Sequence, residues 1–169
     1  MEHPDYVVRL TSDCPLIDAS IIDETIRYCI DNGCDYARTD PASFPDGLDT
    51  EVFKFSALLR AYKDANLTSE REHVTPYIWK NSTSWGGNLF SSVKLPNKQG
   101  VYSASEYRIT IDEPEDFEVI RSLIEKLGDD KGWKDYIDYL LSHEELKSLN
   151  SNFGYNEGYQ KSIQNKETL

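Results

Sequence analysis

The sequence predicts an α/β protein, a mixed sheet flanked by helices. Alternating apolar segments and helical periodicities succeed one another in the order β-α-β-β-α-α-β-β-α-α. Two of the strand-like segments also end alike, on an Asp followed two residues later by Pro. Tyr6-Val7-Val8-Arg9-Leu10-Thr11-Ser12-Asp13-Cys14-Pro15 is the first, and Tyr107-Arg108-Ile109-Thr110-Ile111-Asp112-Glu113-Pro114 is the second. Ligands of open α/β sheets sit outside the carboxyl ends of the strands. Two carboxylates placed there, far apart in sequence, can converge on one hard cation such as Mg²⁺. Magnesium takes one or two carboxylates, keeps several waters and accepts substrate phosphate oxygens. The pattern points to chemistry on a nucleotide.

Each element has its own local signal. After the strand at 6–11, Ile17-Asp18-Ala19-Ser20 leads into a helix in which Ile21, Ile22, Ile26, Cys29 and Ile30 recur at helical spacing, with Gly33 as its C′ residue. Cys34 to Thr39 reads as a second strand, so strand, helix and strand predict a right-handed βαβ unit. Pro45-Asp46-Gly47 marks a turn in the loop at 41–49. Glu51 to Phe55 is a short strand, and Ser56 is placed to cap the helix carrying Leu58, Leu59 and Tyr62. Ser69 and Glu72 form a capping box for a further helix, which Pro76 limits or kinks. Trp85 to Leu95 reads as an irregular strand or hairpin.

Tyr107, Ile109 and Ile111 alternate in the last strand, and the helix after it is expected to bury Phe117, Ile120, Leu123, Ile124 and Leu127. Two short helical pieces follow around Trp133–Leu141 and Glu144–Leu149. The chain thus reads as one domain over 1–149 and a polar tail over 150–169, docked or partly disordered. There is no internal repeat.

Composition narrows the function classes. A formal charge of −12 over 169 residues argues against duplex nucleic acid as a partner, because phosphate neutralisation needs clustered Lys and Arg. It leaves open a small phosphorylated substrate bound through local charges and a metal. No run approaches the roughly 20 apolar residues of a membrane span, and the acidic Met1-Glu2-His3-Pro4-Asp5 is unlike a signal peptide. Three cysteines without CxxC spacing fit reduced thiols in a cytoplasmic protein and argue against zinc. Phosphate-loop motifs of the GxxxxGK[ST] and GxGxxG kinds are absent.

Five stretches, in order along the chain, resemble the cytidylyltransferase family that includes the spore-coat polysaccharide biosynthesis enzymes and, more distantly, the enzymes that make CMP-Kdo and CMP-sialic acid. They are Val8 to Asp18, Pro45 to Phe53, Ser69-Glu70-Arg71-Glu72-His73-Val74-Thr75-Pro76-Tyr77-Ile78, Tyr107 to Phe117, and Asn156 to Ile163. The resemblance implies a three-layer fold similar to the nucleotide-diphospho-sugar transferases (GT-A-like), and transfer of CMP from CTP to a sugar hydroxyl with release of pyrophosphate. It also implies Mg²⁺ held by Asp13 and Asp112. The family's opening strand and its Arg-, Lys- and Gly-rich loop have no counterpart here, so the resemblance covers the later part of the family domain. The expectations are therefore an incomplete fold, an inactive isolated chain, and self-association along an uncovered first strand.

The same residues have other readings. Asp13 before x-Pro suits an Asx-turn, and Asp112 suits the N-cap of the helix opening at Pro114. Asp46, Asp49 and Glu51 surround one turn, and the resemblance places them beside the sugar. Arg71 can hold a substrate carboxylate bidentately, Glu72 can close the capping box, and His73 is a candidate general base. The alternative to an enzyme is a sugar-binding or interaction remnant without catalysis. A glycosyltransferase would call for an Asp-x-Asp pair, which neither strand end has.

Overall fold

The computed structural model describes residues 3–98, 102, 106–155, 159 and 163. The chain divides into two compact units, one comprising Met1–Leu10, Ile22–Thr39 and Thr50–Leu95, the other Thr11–Ile21, Asp40–Asp49 and Pro96–Leu169. The first holds a four-stranded sheet of β1 (Tyr6–Arg9), β2 (Tyr36–Thr39), β3 (Glu51–Lys54) and β4 (Ser92–Leu95), in the order β1-β3-β2-β4. Strand β3 is antiparallel to both β1 and β2, whereas β2 and β4 are parallel. The first two strands are thus parallel without being neighbours, because β3 is inserted between them. The mixed sheet flanked by helices is as expected; the simple βαβ pairing is not.

Alternation on β2 and β3 gives this sheet two buried faces. Tyr36 and Phe53 pack with Ala57, Ala61, Ile78 and Phe90, beneath α2 (Phe55–Asp64) and α4 (Pro76–Lys80). Ala37 and Val52 pack with Cys29 and Cys34, where α1 (Ala19–Asp31) ends and the chain turns through Gly33 at φ +60°. Small alanines rather than Leu59 and Tyr62 face the sheet from α2, and Tyr62 is 72% exposed. Strand β1 is an edge of the sheet, with Val8 and Leu10 exposed.

Helix starts depart from the capping signals in the sequence. Lys54, not Ser56, precedes α2. In α3 (Thr68–Glu72) the Glu70 carboxylate accepts the Leu67 N–H at 3.3 Å, two residues earlier than the expected Ser69–Glu72 box. Pro76 opens α4, as a proline at the first helical position can.

In the second unit, α5 (Pro114–Leu127), α6 (Trp133–Leu141) and α7 (Glu144–Lys147) form around a core of Ile109, Val119, Ile120, Leu123, Tyr136, Ile137 and Leu140. The buried stripe of α5 is Asp116, Val119, Ile120 and Leu123, so Phe117 and Ile124 face outward, contrary to expectation. The anchoring of Asp116 described below fixes that rotation.

The predicted strand at 107–111 is not a ladder strand. Asp46 and Arg108 form an isolated parallel bridge, after which Ile111 N–H donates to the Asp13 carbonyl at 2.8 Å. This segment changes partner within four residues, so no continuous ladder forms along it. Among the described residues no helix is long and apolar enough to cross a membrane.

Gly47 explains how Asp46 comes so close to this segment. Its φ is +106°, and a Cβ there would lie 2.5 Å from both the carbonyl carbon and oxygen of Ile109. Backbone cannot yield as a flexible side chain does. Gly47→Ala is expected to cost about 3 kcal/mol or more, combining left-handed strain with overpacking. Urea unfolding followed by Trp fluorescence would show this as a lowered midpoint, and an unchanged midpoint would refute the close approach.

Candidate functional site

The second unit is organised around Arg108, which is buried and surrounded by carboxylates. Its Nε donates to Asp116 Oδ1 at 2.8 Å, Nη1 to Asp46 Oδ2 at 2.7 Å and to the Gly154 carbonyl at 3.0 Å. Its Nη2 donates to Asp112 Oδ2 at 2.7 Å and to Asp116 Oδ2 at 2.9 Å. A guanidinium has five N–H donors, and all are used. Arg108 therefore has no donor left for a substrate; it sets the positions of three acids.

Asp116 is the innermost of them, with no exposed surface. Its Oδ2 also accepts the N–H groups of Asp112 at 3.0 Å and Glu113 at 2.9 Å, at the start of α5. Burial pushes its carboxyl upward, but these N–H donors, Asn150 and above all Arg108 outweigh it and hold the pKa below the ordinary value. Asp112 consequently has no capping duty: Glu113 is the N-cap and Asp116 satisfies the helix start. The expected N-cap role for Asp112 is thereby corrected. Its side chain remains 20% exposed, with Oδ2 on Arg108.

Asp13 is adjacent through the backbone. Its carbonyl accepts both the Ile111 N–H at 2.8 Å and the Thr110 hydroxyl at 3.0 Å. Its carboxylate accepts only the Cys14 thiol, at 3.7 Å, among the described residues, so the side chain does not close an Asx-turn. Burial, joined by the charges of Asp49 and Asp13, pushes the Cys14 thiol up to about 12. Cys14 is thus a neutral thiol at neutral pH rather than an activated nucleophile.

The start of the tail belongs to this assembly. Asn150 Nδ2 donates to the Arg108 carbonyl at 3.1 Å and to Asp116 Oδ1 at 2.9 Å, and the Tyr155 hydroxyl donates to Asp49 Oδ1 at 2.5 Å. Asp46 and Asp49, read from sequence as sugar-facing, are thus engaged by Arg108 and Tyr155. Asn156 and Glu157, in the tail expected to be docked or partly disordered, lie outside the described residues.

The remaining candidates lie in the first unit. Glu51 is buried at the start of β3, opposite Arg9 in register. Its Oε2 accepts Arg9 Nη1 at 2.6 Å and the Thr75 hydroxyl at 3.1 Å, while Oε1 accepts the Tyr36 hydroxyl. Thr75 follows Val74, whose φ of +68° is unusual for a β-branched residue. His73 is partly buried, and burial first and the Arg9 charge second lower its pKa, so the ring is neutral at pH 7. Arg71 instead directs Nη2 toward the Tyr62 carbonyl at 3.4 Å and lies over the Tyr62 ring, while Glu72 is exposed at the end of α3.

Sequence reading missed Arg108, Asp116, Asn150 and Arg9. The acids four and eight residues beyond Arg108 were its available signal. Alternation with Tyr107, Ile109 and Ile111 instead placed Arg108 on a solvent face.

The first unit is a mixed sheet flanked by helices and the second gathers acids around a buried guanidinium, so the chain is an α/β protein with a carboxylate-rich site. The family described as Cytidylyltransferase matches residues 1–154, and the chain belongs to it. The chain is 34% identical over 150 residues to an uncharacterized protein of Methanocaldococcus jannaschii, covering 88% of this chain and 58% of that one. It is 32% identical over 127 residues to the spore coat polysaccharide biosynthesis protein SpsF of Bacillus subtilis, covering 75% and 50% respectively. A solved cytidylyltransferase from Leptospira borgpetersenii serovar Hardjo-bovis superposes with a TM-score of 0.73 at 32% identity, covering 84% of this chain and 58% of that structure. The chain spans between half and three-fifths of the length of these relatives.

Proposed function

We propose that this chain is the metal- and acceptor-side portion of a nucleotidyltransferase that moves CMP from CTP to a sugar in surface polysaccharide biosynthesis. The observation that carries this reading is Asp112: it is held by Arg108, relieved of capping by Asp116, and bonded through its neighbouring backbone to Asp13. Family membership supports the nucleotidyl transfer, and the SpsF relative supports the polysaccharide context.

The donor set suits a hard divalent cation. Among the described residues no group of three or more His, Cys, Asp or Glu side chains converges as a closed metal cage. Magnesium does not require one, since it binds through one or two carboxylates and completes its shell with water and phosphate oxygens. One guanidinium faces three carboxylates at Arg108, so negative charge is in excess there. Roughly half a positive charge at the start of α5 offsets only part of it. Asp13 and Asp112 would hold Mg²⁺, which when bound orients phosphates and neutralises the charge that develops on them.

In this reading a sugar hydroxyl attacks the α-phosphorus of CTP, forming the new P–O bond as the bond to pyrophosphate breaks. Arg108 and Asp116 fix Asp112 before the nucleotide arrives, which preorganises the carboxylate. The hydroxyl proton can pass to water without a dedicated base, since a bound metal would also lower the hydroxyl's pKa.

The test is pyrophosphate release from CTP with a panel of free 3-deoxy and amino sugars. Release that requires both a sugar and a divalent cation is expected when the chain is joined to the family's Arg-, Lys- and Gly-rich segment, and none from the chain alone. Hydrolysis of CTP at the same rate without any sugar would contradict transfer.

A further inference from the structure

We propose that Arg9 is an oxyanion-binding residue, presenting one edge of its guanidinium to a phosphate or carboxylate group of a substrate. It is the last residue of β1, at the strand's carboxyl end, the end where open α/β sheets receive ligands. Its Nη1 is fixed on Glu51 at 2.6 Å, and its side chain remains 30% exposed. No described residue accepts a hydrogen bond from its Nε or Nη2. Those two groups form the planar edge that matches a phosphate or carboxylate bidentately.

The surroundings hold that edge in one orientation. Glu51 is held in place, because the Thr75 hydroxyl donates to its Oε2 and the Tyr36 hydroxyl to its Oε1. Thr75 is in turn held by the left-handed Val74, and its N–H donates to the His73 carbonyl at 2.8 Å. A valine in that conformation costs about 1–3 kcal/mol and persists only where its surroundings impose it. A cross-strand ion pair serving stability alone would need neither this strained segment nor an unspent donor edge, and apolar residues of similar volume often serve as well.

Glu51 also limits the affinity. With Arg9 it forms a pair of no net charge, so recognition comes from donor geometry rather than from long-range attraction. The same comparison separates Arg9 from Arg71, whose guanidinium is engaged with Tyr62.

The inference rests on the reading that the protein handles phosphorylated nucleotides or acidic sugars. Its test therefore excludes the metal. With EDTA present, the ¹⁵N–¹H signal of Arg9 Nε is followed by NMR during titration with sodium pyrophosphate, and separately with glucuronate. A saturable shift with pyrophosphate assigns the edge to the nucleotide's phosphates. A shift with glucuronate alone assigns it to a sugar carboxylate.

Arg9→Lys keeps the charge and the bond to Glu51 but loses the planar edge, and is expected to weaken binding about tenfold with little change in Tm. Should Arg9→Lys fold poorly, the Arg9→Gln/Glu51→Gln pair removes both charges together and must lose binding likewise. Arg60→Gln, which loses an exposed pair with Asp64 on α2, is the control. If neither anion moves the Arg9 signal, or if Arg9→Lys binds as tightly as the parent, the assignment is wrong. CTP-dependent Mn²⁺ binding, measured on EDTA-free samples of the same proteins, reports separately on the proposed transferase.

Discussion

Arg108→Met is expected to be the most destabilising single substitution in the second unit. The side chain would still fill the volume, but Asp46, Asp112 and Asp116 would lose their shared counter-charge in a buried setting. Breaking one buried pair by removing a partner costs about 3–5 kcal/mol, and here three carboxylates are orphaned at once. Domains of this size have only about 5–15 kcal/mol to lose. Asp116 makes the effect worse, because it is fully buried and loses with Arg108 the largest of the interactions that favour its charged form. The expected result is loss of the cooperative urea transition reported by Trp133, or insoluble protein. Arg108→Lys should rescue little, since one ammonium cannot serve acceptors spread around a planar fork. An Arg108→Met protein with a parental transition would show that the hub is not a principal source of stability.

Asp112→Asn is expected to have the opposite profile: a large loss of transfer with little loss of stability. Arg108 Nη2 would still find an amide oxygen, and its contacts with Asp116 and Asp46 would remain. What disappears is one negative charge from a partly exposed carboxylate that nothing else in the fold requires. If that carboxylate binds the metal, CMP transfer should fall by at least about 100-fold, the upper end of what altering an outer-shell partner alone costs. The measurement is kcat for pyrophosphate release by the chain joined to the family's Arg-, Lys- and Gly-rich segment, with Tm recorded alongside. A Tm falling in step with the rate would mean that Asp112 serves the fold and not the chemistry.

The fold was legible where the signals are local. Periodicity located α1, α5 and α6 closely, and Pro-Asp-Gly gave the turn at Asp46. Which strands would be neighbours was not local information: nothing in Glu51 to Lys54 says that this strand inserts between β1 and β2. The rotation of α5 is similar, since its apolar residues allow more than one buried stripe. Asp116, a residue that periodicity assigns to solvent, selects the observed one.

The two acids read from their sequence context do come into backbone proximity, though without the strand expected before Asp112. The long-range bond from Arg108 to Asp46 had no local signature at all. Glu51 shows the reverse case. Its position beside a turn signalled exposure, whereas the register opposite Arg9 buries it.

Mn²⁺ binding followed by electron paramagnetic resonance, with and without CTP, tests the carboxylate pair most directly. It reads the metal itself and needs neither the acceptor sugar nor turnover. The account predicts CTP-dependent binding that weakens about tenfold or more in both Asp13→Asn and Asp112→Asn, while Asp23→Asn, an exposed acid on α1, behaves as the parent. Binding of equal strength in all four proteins would contradict it.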